Sequence, residues 1–173
     1  MNRPAALLLA AAALAAPLAL RAQTLDLPPR KAGLWEVTTA IEKPRGMPSM
    51  AAQMCLDAVT DRDLMENALR LTGGKCKSLA TKRQGQTYVI DADCTFGATA
   101  SKTKTVITGD FSSAYTVRTE GTLETGADKG PQPTLMTQTA RWKGADCPGM
   151  KPGDVSMFGI KTNIKQLKSL QLQ

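Results

Sequence analysis

Between residues 75 and 125 the chain alternates apolar and polar side chains and places a glycine every twelve residues, at Gly85, Gly97, Gly109 and Gly121. One strand and one tight turn fill such an interval, and strands joined in this way pair antiparallel with their sequence neighbours. The intervening sequences differ, so this is a spacing and not a repeat. It predicts strands over 75–83, 86–95, 102–111 and 113–124. A loop over 126–133 and a strand over 133–143 follow. Thr is frequent throughout and suits half-exposed, pleated positions.

Upstream, Gly33–Glu42 also alternates, with Trp35, Val37, Thr39 and Ile41 on one face. It reads as the first strand. Pro44, Gly46 and Pro48 make 43–51 an irregular loop, and Met54-Cys55-Leu56 a short second strand. One helix follows. Thr60 and Asp63 have the spacing of a capping box, and Asp61 and Asp63 suit the positive N-terminal end of the dipole. Leu64, Ala68 and Leu71 share a face, Glu66 reaches Arg70, and Gly73-Gly74 ends the helix. The tail has Ile164, Leu167 and Leu170 beside Lys161, Lys165 and Lys168, a short helix that docks, frays or lies on a membrane surface. The fold class expected is mainly β: a curved antiparallel sheet or open barrel-like meander of six to eight strands, with one short α-helix and two disulfides.

The N-terminus fixes how the cysteines are read. Met1–Ala22 has Arg3, an Ala/Leu run of about 16 residues, and Arg21-Ala22, which is the layout of a cleaved secretory signal. The run is shorter than the roughly 20 residues of a membrane span. No later stretch is apolar enough to cross, so the mature form is expected to have no transmembrane segment. Cleavage removes Arg3 and Arg21 and no acid, so the net charge falls from +7 to +5. The rest is a single β-rich domain over 28–155 and a basic tail over 156–173. Lys75, Lys77, Lys82 and Arg83, with Lys102 and Lys104 nearby, read as a solvated or edge-protecting face. No nucleic-acid motif accompanies them.

Cys55, Cys76, Cys94 and Cys147 form an even set in an exported domain, which implies disulfides. Zinc is disfavoured: there is no Cys-x-x-Cys pair and no histidine. Cys76 and Cys94 are equidistant from Gly85. A hairpin turn there sets them opposite each other, with Tyr88, Ile90, Ala92 and Cys94 on one face opposed by small Ala80 and Ser78. Cys55 is left for Cys147. In the chain-entropy description the 76–94 bridge contributes about 3 kcal/mol and the 55–147 bridge about 4–5 kcal/mol.

Missing residues limit the chemistry. Without histidine there is no Ser-His-Asp or Cys-His machinery, and no phosphate loop or dinucleotide fingerprint occurs. Asp57, Asp61 and Asp63 are of the type that binds calcium, but helix capping accounts for them more simply. Asp91 and Asp93 fall on an outward strand face. Met47, Met50 and Met54 sit beside Cys55 in the expected loop and offer thioethers suited to Cu(I), although methionine also fills irregular gaps.

Several segments together resemble a known family: Arg30–Thr39 (RKAGLWEVTT), the Met-rich stretch ending at Met54-Cys55, Cys76-Lys77, Cys94, Gly109-Asp110, and Ala140–Pro148 (ARWKGADCP). They are similar to the bacterial exported family catalogued as domain of unknown function 3617, over about residues 28–155. The resemblance implies a periplasmic protein of Gram-negative bacteria and brings no activity and no catalytic residues.

The expected function is therefore a non-enzymatic periplasmic protein, without cofactor, that binds a small apolar ligand or serves envelope maintenance. Trp35, Val37, Tyr88, Ile90 and Trp142 are the candidates for the ligand face, or else simply the core. The alternatives are a Cu(I)-binding protein acting through Met47, Met50 and Met54, and a hydrolase acting through Asp91 and Asp93. No nucleic-acid partner is expected.

Overall fold

The computed structural model describes residues 27–71, 74–126 and 130–166. Residues 1–22, expected as a leader, and Gly73, Leu167, Lys168 and Leu170 lie outside the described residues. So do the side chains of Glu66, Ala68, Arg70 and Leu71.

Nine strands form one open antiparallel sheet. They are β1 (Gly33–Lys43), β2 (Met50–Leu56), β3 (Gly74–Gln84), β4 (Thr87–Phe96), β5 (Thr99–Gly109), β6 (Ala114–Thr125), β7 (Gln132–Gly144), β8 (Asp154–Met157) and β9 (Ile160–Asn163). Helix α1 (Ala58–Leu71) lies between β2 and β3 in sequence. The spatial order is β3-β4-β5-β6-β7-β1-β2-β8-β9. The central meander β3–β7 is the glycine-spaced region, each strand hydrogen-bonded to the next.

This order makes α1 a crossover. Five strands separate β2 from β3 in the sheet, so α1 runs across one face of it, and that face is the core face. Trp35, Val37, Leu56, Tyr88, Ile90, Ile107, Phe111, Tyr115 and Ala140 are buried together there, with Leu64 of α1 packed against them. Register puts the chemistry in rows: Trp35 lies beside Trp142 and Met54, and Val37 beside the small Ala140 and Ala52.

Both disulfides form as the spacing predicts, Cys76–Cys94 and Cys55–Cys147. The hairpin register behind the first is different. The two-residue turn is Gly85-Gln86, so Gln84 pairs with Thr87, Thr81 with Ile90 and Leu79 with Ala92. Ala80 and Ser78 oppose Asp91 and Asp93 instead of the apolar row. A bulge between Cys76 and Ser78 then restores Cys76 to a position opposite Cys94.

Three other expectations change. The capping box lies three residues earlier than Thr60–Asp63: the Asp57 Oδ1 accepts from the Thr60 backbone N–H at 2.7 Å, and the Asp57 N–H donates to Thr60 Oγ1 at 2.9 Å. Asp57 is the N-cap, and Thr60, fully buried, closes the box. Strand β2 begins at Met50, so the loop after β1 is shorter than 43–51. Residues 156–163, read as tail, form most of the β8–β9 hairpin, which pairs with β2 and extends the sheet past eight strands. Lys75, Lys77, Lys82 and Arg83 do lie on an edge strand, β3. Among the described residues no helix is long and apolar enough to cross a membrane.

Candidate functional site

The site begins at the β5–β6 turn. Gly109 (φ 137°) lets the chain approach Tyr115 closely; a Cβ there would collide with the Ala114 carbonyl. Asp110 then gathers its own turn. Its Oδ1 accepts from the backbone N–H groups of Ser112, Ser113 and Ala114 at 2.8, 2.6 and 3.2 Å, and its Oδ2 from the Ser113 hydroxyl at 2.7 Å. The Ser113 side chain and these N–H groups hold the Asp110 carboxyl far below the usual carboxylate range. The turn throws Phe111 into a left-handed conformation (φ 58°) and folds its ring back over the sheet, where it is 5% exposed.

Phe111 links an aromatic run. Its ring stacks on Tyr115 at 5.2 Å and 11°, and meets Tyr88 edge-on at 5.9 Å. Tyr115 in turn lies 5.4 Å from Trp35. The segment 27–32 is tied across these rings. The Lys31 N–H donates to the Phe111 carbonyl at 2.9 Å, and the Trp35 and Trp142 indole N–H groups donate to the carbonyls of Lys31 and Ala32. The Lys31 ammonium sits 3.6 Å from the Trp142 ring centroid, a cation–π contact.

Arg30 is the polar centre of this region. Its Nε donates to Asp61 Oδ1 at 2.5 Å, its backbone N–H to Asp61 Oδ2 at 3.0 Å, and its Nη1 to the Tyr115 hydroxyl at 3.1 Å. Burial disfavours the guanidinium charge, but Tyr115 and Asp61 favour it more, so the Arg30 pKa lies above its ordinary value. The network ties α1 and the N-terminal segment to β6.

Between α1, this segment and the sheet remains a cavity of about 160 Å³. Leu27, Met65, Ile107, Phe111 and Val117 give it apolar walls, and Arg30, Tyr115 and Gln138 form its polar side. That volume matches an engineered apolar cavity large enough for benzene, about 150 Å³. It suits a small ring or the end of an alkyl chain.

The sequence-predicted ligand face is elsewhere. Trp35, Val37, Tyr88 and Ile90 belong to the packed core, and Trp142 is partly buried against it. None of the five lines the cavity. Arg30, Phe111 and Tyr115 are not among the sequence candidates, and Asp61 is among them only as a helix-start or calcium-type acid. The readable signal for Phe111 is Gly109-Asp110 followed by an aromatic and two serines, a turn built to present a side chain.

The other candidates are dispersed. Met47 is half-exposed in the β1–β2 connection, while Met50 and Met54 lie in β2 and Met54 packs against the core. Asp91 pairs across the strands with Lys104 and Asp93 with Lys102, the latter with an Nζ to Oδ2 distance of 3.8 Å. With Glu120 they line an open depression of about 400 Å³ on the face away from the helix. Alternating charge across neighbouring strands is a stable solvated arrangement. Asp57 caps α1 and Asp61 pairs with Arg30, and among the described residues no group of three or more acidic or cysteine side chains is placed to hold a metal ion.

The model of a protein family of unknown function, DUF3617, matches residues 30–147. No curated protein matches the chain, and no solved structure does.

Proposed function

The chain belongs to the DUF3617 family of proteins of unknown function, and from its geometry we propose a non-enzymatic binding protein of the Gram-negative periplasm that holds a small apolar ligand. The carrying observation is the cavity under α1, apolar on most of its wall and edged by Arg30, Tyr115 and Gln138. Small-ligand sites have this composition: an apolar lining for affinity and a few fixed polar groups for orientation. Two disulfides in so small a domain support an oxidising compartment, and the leader-like residues 1–22 support export. The absence of histidine throughout the sequence supports a role without acid–base catalysis near neutral pH.

The test is mass spectrometry of an organic extract of protein purified from the periplasmic fraction. We expect one co-purifying class of small apolar compound, retained by the parent protein. In Val117→Phe, which fills the cavity from β6, it is expected to be lost while the fold is kept. Repeatedly empty extracts, or equal loading of Val117→Phe, would end the proposal.

A further inference from the structure

A second surface stands apart from the cavity, at the β8–β9 hairpin. Its two-residue turn is Phe158-Gly159, with positive φ at both positions (52° and 77°). This is the signature of a type I′ turn, for which Asn-Gly is the favoured sequence. A bulky aromatic in the left-handed region is a strained choice. Burial does not compensate for it here, because Phe158 is 72% exposed. Its neighbours Met157 and Ile160 are 42% and 71% exposed. These three make up half of the large apolar side chains exposed among the described residues, gathered within four positions.

The surroundings are positive. Lys151, Lys161 and Lys165 are all exposed. The Lys161 ammonium donates to the Gly149 carbonyl, which links the hairpin to the loop that carries Lys151. The one acid within 147–166 is Asp154, a buried residue occupied by the Lys151 N–H at 2.8 Å and the Asn163 amide at 2.7 Å. Two further carboxylates are near: Glu36 lines the hollow beneath Phe158, and Asp57 at the start of α1 interacts electrostatically with Lys165, leaving the exposed side of the patch positive.

We propose that this hairpin is a membrane-contact element: Phe158, Ile160 and Met157 enter the headgroup region of an anionic lipid surface while Lys151, Lys161 and Lys165 meet its phosphates. Geometry favours lipid over a protein partner. Three side chains on a narrow turn offer a few hundred Å² of apolar surface, well under the roughly 800 Å² per partner of a stable protein interface. Lipid headgroups set no such minimum. Each inserted side chain adds its own burial, and each lysine adds its attraction to the negative surface. Binding of this kind is reversible and weakens with salt.

The experiment is sedimentation of the purified protein with vesicles of equimolar phosphatidylglycerol and phosphatidylcholine, against vesicles of phosphatidylcholine alone. We expect binding to the anionic vesicles at low salt, reduced at high salt, and weaker by about tenfold or more on neutral vesicles. Phe158→Asn is the informative variant, because Asn-Gly suits the turn and the fold is retained. It should weaken anionic-vesicle binding about tenfold, and Ile160→Ser should do likewise. No binding by the parent protein, equal binding to both vesicle types, or unchanged binding by Phe158→Asn would each overturn the proposal.

Discussion

Arg30 and Asp61 form an ion pair almost sealed from water: the side chains are 11% and 3% exposed and the Nε to Oδ1 distance is 2.5 Å. The pair is a joint between the segment ahead of β1 and the first turn of α1. Removing one partner leaves the other charge buried without compensation. Asp61→Asn should therefore destabilise the protein by about 3 kcal/mol. The double replacement Arg30→Met/Asp61→Leu removes both charges and should cost less than Asp61→Asn alone. Chemical denaturation of the two variants beside the parent measures the order. A double variant less stable than the single would show that the pair's charges themselves stabilise the joint.

The bulge at Lys77 has a consequence for the disulfide. The ladder set by the Gly85-Gln86 turn would place residue 77, not 76, opposite Cys94, and the bulge lets Cys76 take that place. Deleting Lys77 moves Cys76 into the regular position without moving the turn. The deletion is expected to leave no free thiol in the oxidised protein and to change stability by less than about 1 kcal/mol. Thiol titration under denaturing conditions, paired with a melting curve, checks both. Two titratable thiols would mean that the bulge itself is needed to close the bridge.

The same hairpin shows where sequence reading succeeds and where it stops. Cysteine spacing and period-two alternation specify which strands pair and which face is buried, because both follow from local geometry. The displacement of the turn by half a residue, and the bulge that compensates for it, leave the cysteine spacing unchanged and are invisible in it. Phe111 and Tyr115 are a different case. The local Gly109-Asp110 signal marks their turn, but what the two rings touch follows only when the β5–β6 turn folds over strands far away in sequence. The β8–β9 hairpin was hidden by its turn, since Phe158-Gly159 does not look like a type I′ sequence. The capping box was misplaced because Thr60 with Asp63 fits the pattern as well as Asp57 with Thr60, and only the hydrogen bonds decide.

Stability against pH should turn on three aspartates. Asp57, Asp110 and Asp154 all have pKa values below the ordinary range. In Asp57 the Thr60 N–H and hydroxyl are responsible; in Asp110, the Ser113 hydroxyl and the turn N–H groups; in Asp154, the Lys151 N–H and the Asn163 amide. A carboxylate depressed in the folded state contributes stability above its unfolded pKa, about 3.9. That stability is lost as pH falls through the folded values. The chain has no histidine to titrate between pH 5 and 8. The melting temperature is therefore expected to be nearly flat from about pH 5 to 8 and to drop below about pH 4. Asp110→Asn, which keeps one acceptor oxygen but cannot titrate, should make the acid-side drop shallower. An equal drop in that variant would remove Asp110 from the account.

Two phenylalanines share the left-handed backbone, and the same substitution should act on them with opposite sign. Phe111 (φ 58°) is buried and stacked on Tyr115, whereas Phe158 (φ 52°) stands in solvent. Asparagine tolerates this conformation, which costs an ordinary residue roughly 1–2 kcal/mol. At position 158 there is little burial to lose, so Phe158→Asn should stabilise the protein by about 1 kcal/mol. At position 111 the lost aromatic packing, about 3 kcal/mol or more for a buried ring, exceeds the relief of strain. Phe111→Asn should then destabilise by about 2 kcal/mol and open the cavity wall it forms. Urea unfolding of the pair, read by intrinsic tryptophan fluorescence, reports both signs at once, since Trp35 lies one ring beyond Phe111 through Tyr115. A loss of stability in Phe158→Asn would mean that the exposed ring makes a native contact stronger than the strain it imposes.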